Sequence, residues 1–223
     1  MLDEHLEVFI EDMGRTEIFQ EVSEETIKEF KNKVPDKLLE YWEIEGFRAY
    51  GNGIVWITNP KMYTETITFY LRGTPFETLD RFYAFYINAF GDIRAIGEKT
   101  SCAITLNIAD NSIITTANFK PLEDMRKRNK IIQSEFVVIE KEDNDYFDIK
   151  TNQSLFDQAY KKFGMLKADE VYAFKRRLCD GGVPTIDNIQ VENIFEYILD
   201  IRERCGTPKV PFAGVDIDVD KLV

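Results

Sequence analysis

The chain has 223 residues, of which 44% are hydrophobic, 30% charged and 13% aromatic. This length and apolar content allow a sizeable core and exclude disorder as the main state. The 28 basic and 40 acidic side chains give a net charge of −12, distributed as −9 on residues 1–46, +3 on 47–134 and −6 on 135–223. Because binding to nucleic acid depends on Lys and Arg contacts with phosphates, this balance argues against a direct nucleic-acid ligand and favours a basic protein partner.

Helix caps, prolines and apolar spacing divide the first part of the chain into elements. The sequence predicts, in chain order, helix 23–33, helix 35–46, a hairpin around 51–53, helix 60–71, strands 82–90, 93–97, 103–108 and 112–115, and helix 122–132. Short turn pairs separate the four strands, which is typical of an antiparallel meander. The basic triplet 126–128 fits the C-terminal end of its helix, where the helix dipole is negative.

The second part begins with an acidic segment and continues with two helices. Residues 135–148 contain six acidic side chains and one lysine, which indicates a solvated loop between two halves of the chain. Helices are predicted near 155–163 and 189–204, each followed by glycine. We therefore expect an α+β protein, with an antiparallel or mixed sheet flanked by helices, in two abutting subdomains of residues 1–132 and 133–223.

The sequence lacks the residues that most catalytic sites and metal sites need. The only histidine, His5, lies in an acidic terminal segment, which disfavours triad and histidine-metal sites. Asp143-Asn144-Asp145 begins like a calcium loop, but the glycine and the final glutamate of that loop are missing. The alternating carboxylates of 216–220 are typical of a soluble edge strand. We expect no catalytic residue, no metal and no cofactor.

The compartment is predicted from the cysteines and the apolar runs. Three scattered cysteines, Cys102, Cys179 and Cys205, are too few for a disulfide framework or a zinc site, and we expect them to be reduced. The first residues lack the basic and apolar regions of a signal peptide, and no apolar run approaches the length of a membrane span. We expect a cytoplasmic chain without membrane contact.

Two blocks of sequence resemble known bacterial families. Residues 34–42 (VPDKLLEYW), 46–47 (GF), 53–60 (GIVWITNP) and 89–92 (AFGD) resemble the GAD-related domain. Residues 163–174 (FGMLKADEVYAF), the pair 181–182 and the helix near 191–201 resemble the C-terminal domain of type VI secretion immunity proteins. Proteins with this layout are similar to antidotes that bind a secreted DNase effector. The resemblance implies a binding protein without catalysis, whose partner is a cognate toxin.

The acidic loop is the candidate contact with that toxin. Its carboxylates could imitate a polyanion towards a basic, DNA-binding groove and block access to it. The alternative is that the loop is simply solvated. The candidate effector-binding residues are Glu140, Glu142, Asp143, Asp145 and Asp148.

Two functions from other classes remain open at this point. A small anionic ligand, or a substrate, could bind in a pocket near Tyr172, Arg176 and Arg177, because basic side chains in an acidic chain can hold an anion. A scaffold subunit would instead assemble with copies of itself. In contrast, Tyr41, Trp42, Trp56 and Phe90 have the spacing of core residues and are expected to pack inside.

Overall fold

The computed structural model describes residues 2–115 and 119–210. The helices are α1 (Glu4–Met13), α2 (Glu24–Phe30), α3 (Asp36–Glu45), α4 (Pro60–Leu71), α5 (Phe76–Leu79), α6 (Met125–Val137), α7 (Leu155–Phe163) and α8 (Ile194–Cys205). The strands are β1 (Arg15–Gln20), β2 (Phe47–Tyr50), β3 (Val55–Ile57), β4 (Phe82–Asn88), β5 (Ile93–Gly97), β6 (Ala103–Asn107), β7 (Ser112–Thr115), β8 (Phe147–Asp148), β9 (Gln153–Ser154), β10 (Glu170–Phe174) and β11 (Ile189–Asn193). The predicted α+β class is confirmed.

A seven-stranded antiparallel sheet forms the centre of the molecule. Its strands follow one another in chain order from β1 to β7, so each strand pairs with its neighbour in sequence. The structure thus confirms the predicted meander and the hairpin, whose two strands are joined by a short 3-10 turn at Gly51–Gly53. The central strand β4 is buried on both faces, which explains its nearly continuous apolar sequence.

Helices cover both faces of this sheet. Helices α1, α2, α3, α6 and α7 supply one hydrophobic core, and α4, α5 and α8 supply the other. Strand β10 contributes alternate side chains to the two cores, with Tyr172 and Phe174 on one side and Val171 and Ala173 on the other. Helix α6 crosses the predicted boundary at residues 132/133, and both parts of the chain are needed to fill each core. The division into two domains stays a prediction.

Local capping explains where the confirmed helices begin and end. The Ser23 hydroxyl accepts a hydrogen bond from the Thr26 amide (3.2 Å), and the Asn59 side chain does the same for the Lys61 amide (3.0 Å). Helix α3 ends at Gly46, which has a φ of +68°. The predicted core aromatics Tyr41, Trp42, Trp56 and Phe90 are all buried.

The structure corrects several predicted helix ends. Helix α2 ends at Phe30 and not at 33, and α6 continues to Val137 and not only to 132. Helix α6 begins at Met125 and not at 122, so the basic triplet 126–128 lies in its first turn and not in its last. The carboxylate of Asp124 caps that turn by accepting the Arg126 amide hydrogen bond (3.0 Å), which offsets the unfavourable dipole. Residues 189–193 form β11, paired with β10, and α8 begins only at Ile194.

Several elements lie outside the predicted set. Helix α1 and strand β1 occupy the acidic N-terminal segment, and β10 precedes the basic stretch 175–177. Helix α1 nevertheless has a local pattern, because Leu6, Phe9 and Met13 are buried on one face and the Asp3 carboxylate caps the helix by accepting the Leu6 amide hydrogen bond (3.1 Å). The predicted edge strand 216–220 lies outside the described residues.

The cysteine prediction is wrong for two of the three residues. Cys179 and Cys205 form a disulfide in the structure, with their Cα atoms 6.1 Å apart and a sequence separation of 26. The 3-10 turn Leu178–Asp180 packs against the C-terminal part of α8 and thereby brings the two cysteines together. Their wide sequence separation concealed this contact. Cys102 is buried.

This disulfide gives a testable stability difference. Cys205→Ser should lower the free energy of unfolding of the oxidised protein by about 2–4 kcal/mol, because it removes a cross-link from the unfolded chain. Urea unfolding with and without reductant would measure the effect. Reduced wild-type protein should match the variant, and identical unfolding of wild type in both conditions would contradict the prediction.

Candidate functional site

The acidic loop leads from the end of α6 to α7, and the structure divides its five candidate residues into two groups. Glu140, Glu142 and Asp143 are exposed to solvent. Asp145 is half-buried and Asp148 is fully buried, and both point into the fold. The first group is therefore available to a partner in the free protein, whereas the second holds the loop in shape.

Asp145 anchors the loop to the start of α7. Its carboxylate accepts hydrogen bonds from the Ser154 hydroxyl (2.5 Å) and from the amides of Tyr146 (2.7 Å) and Phe156 (2.8 Å). Burial raises the pKa of Asp145, although these donors oppose that effect. Ser154 in turn caps α7 by accepting the Asp157 amide hydrogen bond (2.9 Å). Loop and helix are thus joined by one hydrogen-bonded group.

Asp148 organises the tight turn between β8 and β9. One carboxylate oxygen accepts hydrogen bonds from the amides of Lys150 (2.8 Å) and Thr151 (3.2 Å), and the other accepts one from the Ile186 amide (2.8 Å). These bonds, that from Ile186 above all, lower the pKa of Asp148. The charge of this residue is therefore used inside the protein to join the turn to the segment 184–186.

A polar cavity of about 250 Å³ opens beside the exposed part of the loop. Its walls come from strands β4–β6 of the sheet, the end of α6 and the loop itself. The lining residues are Tyr86, Asn88, Asp92, Arg94, Thr105, Asn107, Glu135, Val138, Asp143 and Asn144. Tyr86 reaches the cavity because the register of β4 against β5 shifts between Ala84 and Tyr86, as in a β-bulge. Sheet and loop therefore share one concave surface.

Asp92 is the most perturbed carboxylate of this cavity. Its oxygens accept hydrogen bonds from the Ile108 amide (2.7 Å) and the Asn88 side chain (3.1 Å). Burial raises the pKa of Asp92 to about 6, and these donors only partly offset it. At neutral pH the group is mostly ionised and adds negative charge to the cavity.

Among the lining residues that the structure describes, Arg94 is the basic one, and its charge is already paired. Arg94 contacts Glu135 through Nε (2.7 Å) and Nη2 (2.5 Å), and its Nη1 donates to the Thr105 hydroxyl. This neutralised pair leaves Asp92 and Asp143 as the uncompensated charges of the cavity. The arrangement favours a cationic group over an anionic one.

Sequence reasoning missed this cavity. The sequence predicts Gly91-Asp92 as a turn between strands and as part of the GAD-like block 89–92, and it predicts Glu135 as part of the acidic segment 135–148. Arg94 was the available signal, because it is a charged residue within the short apolar strand 93–97 and therefore requires a partner. The side chain of Glu135, on α6, meets this requirement across the sheet surface.

The residues of the alternative anion pocket, Tyr172, Arg176 and Arg177, differ in their availability to a ligand. Arg177 is buried and bonded to Glu192 (2.8 and 2.9 Å) and Asp200 (2.6 Å), so its charge is neutralised internally. The Tyr172 hydroxyl donates to the Gly164 carbonyl (2.5 Å). Arg176 is exposed, and its Nε donates to the backbone carbonyl of Asp180 (3.1 Å). These contacts give Tyr172 and Arg177 a part in the fold, which argues against their use in binding an anion.

Two further observations limit the chemistry of the described part of the chain. Within residues 2–115 and 119–210, no three His, Cys, Asp or Glu side chains gather as a metal ion would require. In the same residues no helix has both the length and the apolar character to cross a membrane.

Comparison with protein families now adds to this geometry. Residues 4–110 match the model of the GAD-like domain, and residues 133–200 match that of "T6SS immunity protein Tdi1, C-terminal". The first part of the chain is thus similar to a GAD-like domain, and the second part is similar to the C-terminal domain of a Tdi1-type immunity protein. The acidic loop and α7 fall within the Tdi1-type match, whereas strands β4 and β5 of the cavity wall belong to the GAD-like match. The cavity therefore lies where the two matched regions meet.

One solved structure shares the fold. The crystal structure of Atu4351 from Agrobacterium tumefaciens superposes with a TM-score of 0.76, at 22% sequence identity, over 89% of this chain and 88% of that chain. At this identity the likeness establishes the architecture alone. No curated protein sequence matches the chain at a significant level.

The raised pKa of Asp92 predicts a pH effect on stability. A carboxyl whose pKa is about 6 in the folded state and about 4 when unfolded stabilises the fold in its protonated form. This contribution is complete below about pH 4 and is lost as the pH rises through about 6. The free energy of unfolding, measured with urea, should therefore contain a contribution that falls between pH 4 and pH 6. Asp92→Asn should make this decrease smaller.

Carbon-13 NMR titration of the Asp92 carboxyl would measure its pKa directly. Glu65, an exposed carboxylate, provides the control, and Glu65→Gln should leave the pH dependence between 4 and 6 as in wild type. A value for Asp92 near 4 would contradict the prediction.

Proposed function

We propose that this chain is an immunity protein that binds a cognate type VI secretion effector and neutralises it. The effector is a DNase, and the chain covers its active site or its DNA path without performing any catalysis itself. It acts in the cytoplasm of the cell that produces the toxin, contacts neither DNA nor membrane directly, and needs no cofactor. The match of residues 133–200 to the Tdi1 immunity family carries this proposal.

The charge distribution supports the nuclease as the partner. An enzyme that cleaves DNA presents Lys and Arg side chains along the path of the phosphates. The exposed Glu140, Glu142 and Asp143 have the complementary sign, and Asp92 adds negative charge in the adjacent cavity. Oppositely charged surfaces accelerate association, and speed matters for an inhibitor that must act before the toxin damages the genome.

The candidate residues have different parts in this mechanism. Glu140, Glu142 and Asp143 meet the effector, whereas Asp145 and Asp148 hold the loop that presents them. Replacement of either internal carboxylate would weaken binding indirectly, by loosening the loop. The two groups are therefore distinguishable, because only variants of the internal group lose thermal stability.

Charge reversal of the exposed group tests the proposal. Glu140→Lys/Glu142→Lys/Asp143→Lys should slow association with the effector by about tenfold or more at low ionic strength, and should flatten the dependence of that rate on salt. Stopped-flow or surface-based kinetics with the catalytically inactivated cognate effector would measure both effects. Co-expression with active toxin would report protection as growth.

The control is a triple variant with the same change in net charge. Glu65→Lys/Glu196→Lys/Glu203→Lys alters three exposed glutamates on α4 and α8, away from the loop. It should retain most of the wild-type association rate, because local charge and not total charge steers the encounter. Equal losses in the two variants would remove the loop from the interface. Failure of the wild-type chain to bind the toxin would refute the function itself.

A further inference from the structure

In the hairpin β8–β9 an acidic side chain is buried and neighbouring apolar side chains are exposed to solvent. Along the segment 147–149, Phe147 is 57% exposed, Asp148 is 0% exposed and Ile149 is 62% exposed. Phe147 and Asp148 are adjacent in β8 and therefore face opposite sides, and Ile149, the first residue of the following turn, faces solvent as well. Soluble proteins usually place these residue types the other way round.

Internal bonds enforce this orientation. The three amide hydrogen bonds to Asp148 hold its carboxylate inside, and the register Phe147↔Ser154 and Asp148↔Gln153 continues the hairpin. The Ile149 amide donates to the Pro184 carbonyl (3.0 Å), which keeps Ile149 beside Val183, itself 45% exposed. The apolar side chains are therefore presented on a fixed backbone.

Phe147, Ile149 and Val183 together form what we call the hairpin patch. An open groove of about 460 Å³ runs beside Phe147 and is lined by polar side chains of the hairpin and α7. Apolar side chains surrounded by polar groups resemble the centre of a protein interface with its rim. A rigid aromatic anchor loses little conformational entropy on binding, which makes Phe147 suited to a pocket on a partner.

The charge next to the patch indicates which partner it fits. Phe147 follows the exposed carboxylates of 140–143 by only four residues, and the half-buried Asp145 between them fixes both parts to α7. A partner that meets both parts needs a basic surface next to an apolar recess. A second copy of this chain offers the same acidic loop and would be repelled by it.

We propose that the hairpin patch is the hydrophobic anchor of the interface with the cognate effector, seated in an apolar recess beside the effector's basic groove. This inference rests on the proposed function and extends it. The acidic loop speeds the encounter, whereas the patch keeps the complex together. Loss of the patch therefore acts on dissociation, and loss of the loop acts on association.

The test is Phe147→Ala/Ile149→Ala in the full chain, with the catalytically inactivated cognate effector as the probe. The dissociation rate should rise by about 20-fold or more, as for an interface hot spot, and the change should persist in high salt. The melting temperature should stay within about 2 °C of wild type, because both side chains are exposed. Met62→Ala/Leu199→Ala removes two other exposed apolar side chains, one from α4 and one from α8, and should leave the dissociation rate unchanged.

Hydrogen exchange of the unmodified chain provides a second readout that needs no variant. Amides of residues 147–154 should be protected further when the toxin binds. Wild-type affinity in the hairpin variant, or equal losses in the control, would overturn the inference and leave the proposed function standing. Self-association that only the hairpin variant loses, with toxin binding intact, would assign the patch to a second copy and also overturn it. A wild-type chain that fails to bind the toxin would remove both proposals.

Discussion

A buried carboxylate needs hydrogen-bond donors inside the protein. In this protein the donors to Asp148 determine which neighbouring side chains face solvent. Asp148 satisfies it with three backbone amides, two from its own turn and one from Ile186. This arrangement fixes the hairpin and orients Phe147 and Ile149 towards solvent. A neutral residue at 148 could not accept the same bonds with the strength of an ionised acceptor. The orientation of the candidate interface is thus determined by hydrogen bonds to a buried carboxylate.

Other acidic residues also use their carboxylates for hydrogen bonds within the protein. The net charge of −12 therefore overstates the number of carboxylates that a partner can contact. Asp80 accepts bonds from the amides of Lys99 and Thr100, and Asp3 accepts bonds from Tyr41 and the Leu6 amide. These carboxylates cap turns and helices and contribute little to an interface. The charge available to a partner is therefore concentrated in fewer places than the composition indicates, and the loop at 140–143 is one of them.

Sequence patterns predicted the elements that depend on local chemistry. Ser23, Asn59 and Gly46 mark helix ends because caps act within a few residues, and the meander follows from short turns between apolar strands. The sequence patterns did not predict the features that depend on contacts between residues far apart in the chain. The cavity needs Arg94 and Glu135 from separate elements, the disulfide joins Cys179 to Cys205, and the outward orientation of Phe147 depends on Ile186. The charge of the acidic loop is evident from the sequence. Which of its carboxylates are internal and which are exposed depends on the tertiary structure.

The strand order of the sheet has a consequence for how the protein is made. Each strand pairs with the one synthesised just before it, so the sheet can assemble progressively while the ribosome is still at work. Both cores nevertheless stay open until α7, β10 and α8 arrive to cover the two faces. A nascent chain therefore exposes sheet surface until α8 has emerged. A fragment that stops before α8 would leave this surface uncovered and would be prone to aggregate.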